Sequence, residues 1–234
     1  MLPMPVTSQD VKSRVTQIEN RIIYITRCKN MCVIAVSRAG KRQPTVSEIT
    51  NAFVNNPHGA GYMYARGGKV HIRKGFMELD DLLDSLAAEQ FTTADSVVYH
   101  FRISTQAGVN PKMCHPFPVY WDVRAMELLA VKCDVAIAHN GIIHLTSDPN
   151  EHRYSDTALF VADFLSDYIR HPEDIHDQSI LDDIEELAQS KFALMNGAGE
   201  IETIGKFTND NGILWSNTSY KNRAPFTKYM YACK

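Results

Sequence analysis

Residues 61–66 and 69–74 are two short runs flanking the dipeptide Gly67-Gly68. A two-residue β-hairpin loop of type I′ needs φ > 0 at both central positions, which glycine reaches without a Cβ penalty. That pair commits the neighbouring runs to antiparallel pairing. Other strand candidates are 32–37, 96–103, 134–139, 191–195, 200–205 and 212–215, with Asn196-Gly197-Ala198-Gly199 joining the fourth to the fifth. Helical patterns fall at 47–55 (capped by Thr45 or Ser47), 78–89, 156–169 and 180–190. Hairpin signals outnumber strand–helix–strand units. The expected fold class is therefore α+β with antiparallel sheets, not a doubly wound parallel sheet.

The 234 residues suffice for one substantial domain. A net charge of -3 gives no electrostatic reason to expect nucleic acid or an anionic membrane as the main partner. Basic residues cluster at Lys69, Arg73 and Lys74 and at Lys221, Arg223 and Lys228, and read as solvated strand ends. The five cysteines (Cys28, Cys32, Cys114, Cys133 and Cys233) have no CxxC or zinc spacing, so neither a disulfide framework nor a metal site is expected. A reducing, cytoplasmic setting fits, and no cofactor is called for. No apolar run is long enough to span a bilayer, and no signal-peptide layout opens the chain. Residues 1–31 read as an extension or propeptide, in which Val11, Val15, Ile18 and Ile22 share one helical face. Residues 32–234 read as the domain.

Four groups carry chemistry. Cys32 opens a strand, and a free thiol with a pKa of about 8.5 needs a base to become a nucleophile. Its own α-amino group, titrating near ~8, would serve if Cys32 were the first residue. Met31 directly precedes it, so removal of one methionine from a start at Met31, or cleavage of residues 1–31, would free that amine. Taken alone, a cysteine in a strand is more often a small buried core residue. Arg102, followed by Ile103-Ser104-Thr105, offers a planar fork for a carboxylate or a surface ion pair. Asn140-Gly141 offers two donors for an oxyanion hole or a type I′ turn. Asp156 offers a carboxylate for an ammonium, or an acidic first-turn residue favoured by the helix dipole.

In order, MCVIAV (31–36), NPHGAGYMY (56–64), HFRISTQAG (100–108) with HPF (115–117), HNG (139–141), SDT (155–157), KFALMNGAGEIETIG (191–205) and SNTSY (216–220) resemble the class II glutamine amidotransferase domain of the N-terminal nucleophile hydrolases. The resemblance implies a four-layer αββα sandwich with the nucleophile at the start of a central strand. It implies that Cys32 attacks the glutamine side-chain amide, that Asn140 and Gly141 stabilise the oxyanion, and that Arg102 and Asp156 hold the α-carboxylate and α-amino group. Thr105 and Gly61 complete the substrate-binding set. Ammonia would leave, and water would then hydrolyse a glutamyl thioester. The family's common Arg-Gly pair is His58-Gly59 here. The domain fills the chain beyond residue 31, so a separate ammonia-accepting synthase or synthetase subunit is the expected partner.

Two other classes stay open. Another γ-glutamyl amide presents the same amino acid end, which Arg102 and Asp156 do not distinguish from glutamine. A non-catalytic binding or assembly protein would keep the fold with Cys32 blocked by residues 1–31 and dock through the extension's apolar face. A Cys–His dyad from His100, His115 or His139 is a further arrangement.

Overall fold

The computed structural model describes residues 31–104, 108–143 and 153–221. The chain divides into two compact units, Met1–Met31 and Cys32–Lys234. The apolar face of Val11, Val15, Ile18 and Ile22 lies outside the described residues, as do Cys28, Cys233, Arg223, Lys228 and Thr105.

The second unit is α+β, with two antiparallel sheets. The seven-stranded sheet runs β10(Thr208–Asp210), β11(Ile213–Trp215), β1(Val33–Ser37), β4(Val97–Phe101), β2(Ala60–Arg66), β3(Lys69–Phe76), β6(Ala130–Cys133). The four-stranded sheet runs β5(Phe117–Pro118), β7(Val135–Asn140), β8(Lys191–Asn196), β9(Ile201–Ile204). The helices are α1(Val46–Asn55), α2(Leu79–Glu89), α3(Asp156–Phe160) and α4(Gln178–Ala188), with short 3₁₀ segments between elements.

Strand side chains alternate between faces, so a sheet covered on both sides needs two apolar sets per strand. Val33 and Ala35 of β1 join Val97, Tyr99 and Tyr62 in a cluster with Ile49 and Phe53 of α1 and Leu82 of α2. The intervening Ile34 and Val36 join Met63, Val98, Ala136, Ala138, Ala193 and Met195, drawn from both sheets. Ile137, Phe192 and Leu194 turn the other way, against Phe160 of α3 and Ile184 of α4. Each large apolar side chain so buried contributes roughly 1.5–3 kcal/mol.

Local chemistry sets the boundaries. Thr45 caps α1 in a reciprocal box: its hydroxyl accepts from Glu48 N, and Glu48 accepts from Thr45 N. Gly67 and Gly68 have φ of +61° and +74°, as a type I′ loop requires. The helix expected over 156–169 is not uniform. After α3 the chain widens into a π turn, Val161–Leu165, before a last α turn, Ser166–Tyr168. Strands β5, β6 and β10 have two to four residues each and left no periodic signal in the sequence.

Lys74 departs from the solvated reading of its basic cluster. It follows Val70 and Ile72 on the inward face of β3 and is only 4% exposed. Its Nζ donates to the carbonyls of Lys112 (2.8 Å) and Met126 (2.5 Å) and lies 4.0 Å from the Phe117 ring centroid. Lys69 and Arg73 are about half exposed, Lys69 pairing with Asp134 at 2.5 Å. Desolvation pulls the Lys74 amine down to about 7. Above that value the folded chain has released a proton that the unfolded chain keeps until the ordinary lysine range, so this residue's contribution to stability rises with pH across the window. Urea unfolding at about pH 6.5 and about pH 9 tests this. Wild type gains on Lys74→Met between the two; a constant difference refutes the shift.

Candidate functional site

The ends of β1, β4 and β7 and the start of α3 carry the chemistry-bearing residues. Cys32 immediately precedes β1, and its neighbour β4 ends at Phe101, opposite Val33. The antiparallel register therefore carries the residues after Phe101 past Cys32. Ile103 N donates to Cys32 Sγ at 3.3 Å, and the thiol lies 3.4 Å from the Ile103 carbonyl. Asn217 Nδ2 donates to the Cys32 carbonyl at 2.7 Å. Burial pushes the thiol up to about 11; the Ile103 amide and the Arg102 charge pull the other way, and the Asp156 charge adds to the rise. A thiol held this way is protonated at neutral pH and needs a base to act.

Arg102 is 4% exposed. Its amide donates to the Gly59 carbonyl (2.8 Å), its carbonyl accepts from His58 N (3.0 Å), and its Nη1 donates to the Gly108 carbonyl (2.9 Å). Burial lowers its pKa, opposed by the thiols of Cys114 and Cys32 and by Asp156. His58 accepts from Ser104 N at its Nδ1 (2.8 Å). The glycine-rich segment thus holds the backbone on both sides of Arg102. No local pattern in the sequence marked that use of His58.

Asn140 is the last residue of β7 and 1% exposed. Its Nδ2 donates to Ser216 Oγ at 2.8 Å, and its Oδ1 has no partner among the described residues. Ser216 Oγ also accepts from Ile34 N at 2.8 Å. The hairpin alternative for Asn140-Gly141 falls away, because neither residue has positive φ and β7 pairs with β5 and β8. A Cβ on Gly141 would stand 2.2 Å from Ser190 Oγ, so close packing requires glycine there.

Asp156 starts α3, with Ser155 as the cap. Its Oδ2 accepts from Ile143 N (2.7 Å) and its Oδ1 from Thr157 N (2.8 Å), which ties the residues following Gly141 to the helix start. Burial raises its pKa against those hydrogen bonds and the charge of Arg102. Gly61 lies within β2, opposite His100 and Lys74. A Cβ there would meet the His115 carbonyl at 2.3 Å, a packing reason for glycine.

The three motif histidines form a buried group of their own. His100 Nε2 donates to the His139 carbonyl (2.9 Å), and the His100 and His115 rings are 4.3 Å apart. His139 Nδ1 lies 2.7 Å from Thr157 Oγ1, and its ring stacks on Phe192. Desolvation pulls His100 and His139 down to about 3 and lowers His115 as well. No described hydrogen bond joins any of them to Cys32, which removes the support for a Cys–His dyad. Among the described residues, no group of three or more potential ligands is placed to hold a metal ion. No described helix is long and apolar enough to cross a membrane. A cavity of about 600 Å³ lies at the other end of β7, beside Tyr120, Trp121 and Leu128, and shares no residue with this constellation.

Sequence reasoning placed Ser216 and Asn217 only within the segment SNTSY (216–220) and gave them no role. The long-range contacts supply one.

Cys32, Arg102, Asn140, Gly141 and Asp156 are linked through shared neighbours and mutual charge. Together they offer a thiol, a guanidinium, a carboxylate and amide donors in one region. In the chain carrying residue 31, the rate of iodoacetamide alkylation of Cys32 is expected to keep rising with pH beyond about 9, following the thiolate fraction. Peptide mass mapping reads that rate, and a plateau below about pH 8.5 would show that a base already activates the thiol. No protein-family model matches the chain, and a search of curated proteins returned no match.

Proposed function

We propose that residues 32–234 are a glutamine-hydrolysing domain of the class II amidotransferase type, with the four-layer αββα order of the N-terminal nucleophile hydrolases. The observation that carries the reading is the position of Cys32. It opens a strand buried on both faces, its sulfur lies against Ile103, and Arg102 and Asp156 both act electrostatically on the thiol. The three apolar clusters support the layer order, since one draws on both sheets and each of the others joins one sheet to helices.

Arg102 suits the α-carboxylate, because a guanidinium fork bonds it through two parallel N–H groups. Asp156, with backbone donors already on both oxygens, stays an acceptor for the α-ammonium. That leaves the side-chain amide to meet Cys32. Attack of the thiolate on the amide carbon gives a tetrahedral oxyanion, and a second hydrogen on Asn140 Nδ2 and the Gly141 N–H are donors for it. Protonation of the amine expels ammonia and leaves a thioester, which water opens to glutamate. With the thiol pushed up to about 11, the step needs a base, and the Cys32 α-amine supplies one once the Met31–Cys32 bond is cut. The ammonia is expected to pass to a separate acceptor subunit in the cytoplasm.

Intact mass after incubation with a glutamine-mimicking diazoketone, alongside a glutamate-release assay, tests the reading. A chain starting at Cys32 that carries one adduct supports it. A chain retaining residues 1–31 without adduct overturns it in favour of the binding or assembly protein. Cys32→Ala abolishes glutamate release; normal release by that variant refutes the nucleophile. Arg102→Lys raises KM for glutamine about tenfold or more with kcat largely kept, since a point charge does not reproduce the fork. An unchanged KM counts against the carboxylate role.

A further inference from the structure

We propose that Ser216 and Asn217, the two residues after β11, are positioning residues that fix the oxyanion donor Asn140 against the nucleophile-bearing end of β1; the catalytic readout of this inference rests on the glutaminase reading. Ser216 is 2% exposed. Its amide donates to the Ile34 carbonyl at 3.0 Å, and its Oγ accepts from Ile34 N at 2.8 Å, so backbone and side chain both grip one residue of β1. The same Oγ accepts from Asn140 Nδ2 at 2.8 Å. Two donors fill the acceptor capacity of a hydroxyl oxygen and hold it at the crossing point of the two strands.

Asn217 continues the grip one residue nearer the thiol. Its Nδ2 donates to the Cys32 carbonyl at 2.7 Å, while its Oδ1 accepts from Ser219 N at 2.9 Å, which sets the orientation of the amide. The Ser216 carbonyl accepts from Lys191 Nζ, and Lys191 is the register partner of Asn140 across β7 and β8. The doublet therefore touches the residue bearing the thiol, the residue after it but one, the amide donor and that donor's strand partner.

β1 and β7 belong to different sheets. Between them lies the apolar cluster of Ile34, Val36, Ala136 and Ala138, which is non-directional and does not orient an amide. Ser216 adds the direction. With one Nδ2 hydrogen committed to Oγ, the orientation of the second is fixed relative to Cys32. An oxyanion donor works only when preorganised, so losing the anchor lowers turnover while the amino acid end stays held elsewhere.

Steady-state glutaminase kinetics of Ser216→Ala, Asn140→Ala and the double variant test the clamp. The rate is expressed per site alkylated by the diazoketone, so partly unfolded protein does not mimic the effect. Ser216→Ala is expected to lower kcat about 10–100-fold with KM for glutamine within about twofold. On the Asn140→Ala background it costs less than about twofold, because it acts through that amide. Ser216→Thr, which keeps the hydroxyl, restores most of the rate. Full additivity of the two alanine variants, or an unchanged kcat in Ser216→Ala with an active, labelled wild type, overturns the clamp alone. An unlabelled, inactive wild type overturns the glutaminase reading and the clamp's catalytic role with it. If Ser216→Ala does not fold, Asn217→Ala decides: a kcat lowered at constant KM supports the clamp, and an unchanged kcat overturns it.

Discussion

Everything near the site depends on β1 being covered on both faces. Val33 and Ala35 face helices α1 and α2, and Ile34 and Val36 face the second sheet. A strand enclosed this way has no solvent side to relax into, so a one-residue slip would exchange its two apolar sets. Register is thereby fixed over the five pairs from Val33↔Phe101 to Ser37↔Val97. The fixed register brings Ile103 to the sulfur of Cys32. The local geometry of a single thiol is thus a consequence of long-range apolar packing.

The electrostatics follow from the same enclosure. Burial disfavours charge on Cys32, Arg102 and Asp156 alike, yet each is opposed by the others or by backbone donors. The histidines behind them have no opposing charge and stay neutral, joined through the His139 carbonyl and Thr157. The region separates into a layer of mutually compensating charges and a layer of neutral rings. Lys74, held by two carbonyls and an aromatic face, adds a buried amine that interacts electrostatically with Arg102 and His115.

Much of the framework was legible because it is written in period and punctuation. Gly67-Gly68 announced its hairpin, and Thr45, one of two cap candidates with Ser47, marked the start of α1. The core strands stood out as apolar runs, expected at 32–37, 96–103 and 134–139 and found at Val33–Ser37, Val97–Phe101 and Val135–Asn140. The short strands β5, β6 and β10 did not, since two to four residues carry no period. Lys74 was misread because charge outweighed its place in the Val70–Ile72–Lys74 alternation. The site's individual members were legible as types in order, but their supports were not. The contacts of Ser216 and Asn217 and the His58–Ser104 bond exist only once residues far apart in the chain are paired, so the motif segments that contain them did not disclose them.

The bond between Ile34 and Ser216 spans 182 residues. Closing a loop of that size comes late, because its entropy must be overcome before the contact repays it. During synthesis the thiol of Cys32 emerges well before Ser216 and Asn217, which orient it. Until β11 pairs with β1, the cysteine is an ordinary side chain in an unfinished sheet. The order of synthesis therefore separates possession of the thiol from possession of the surroundings that orient it, and the assembled constellation is a property of the folded domain.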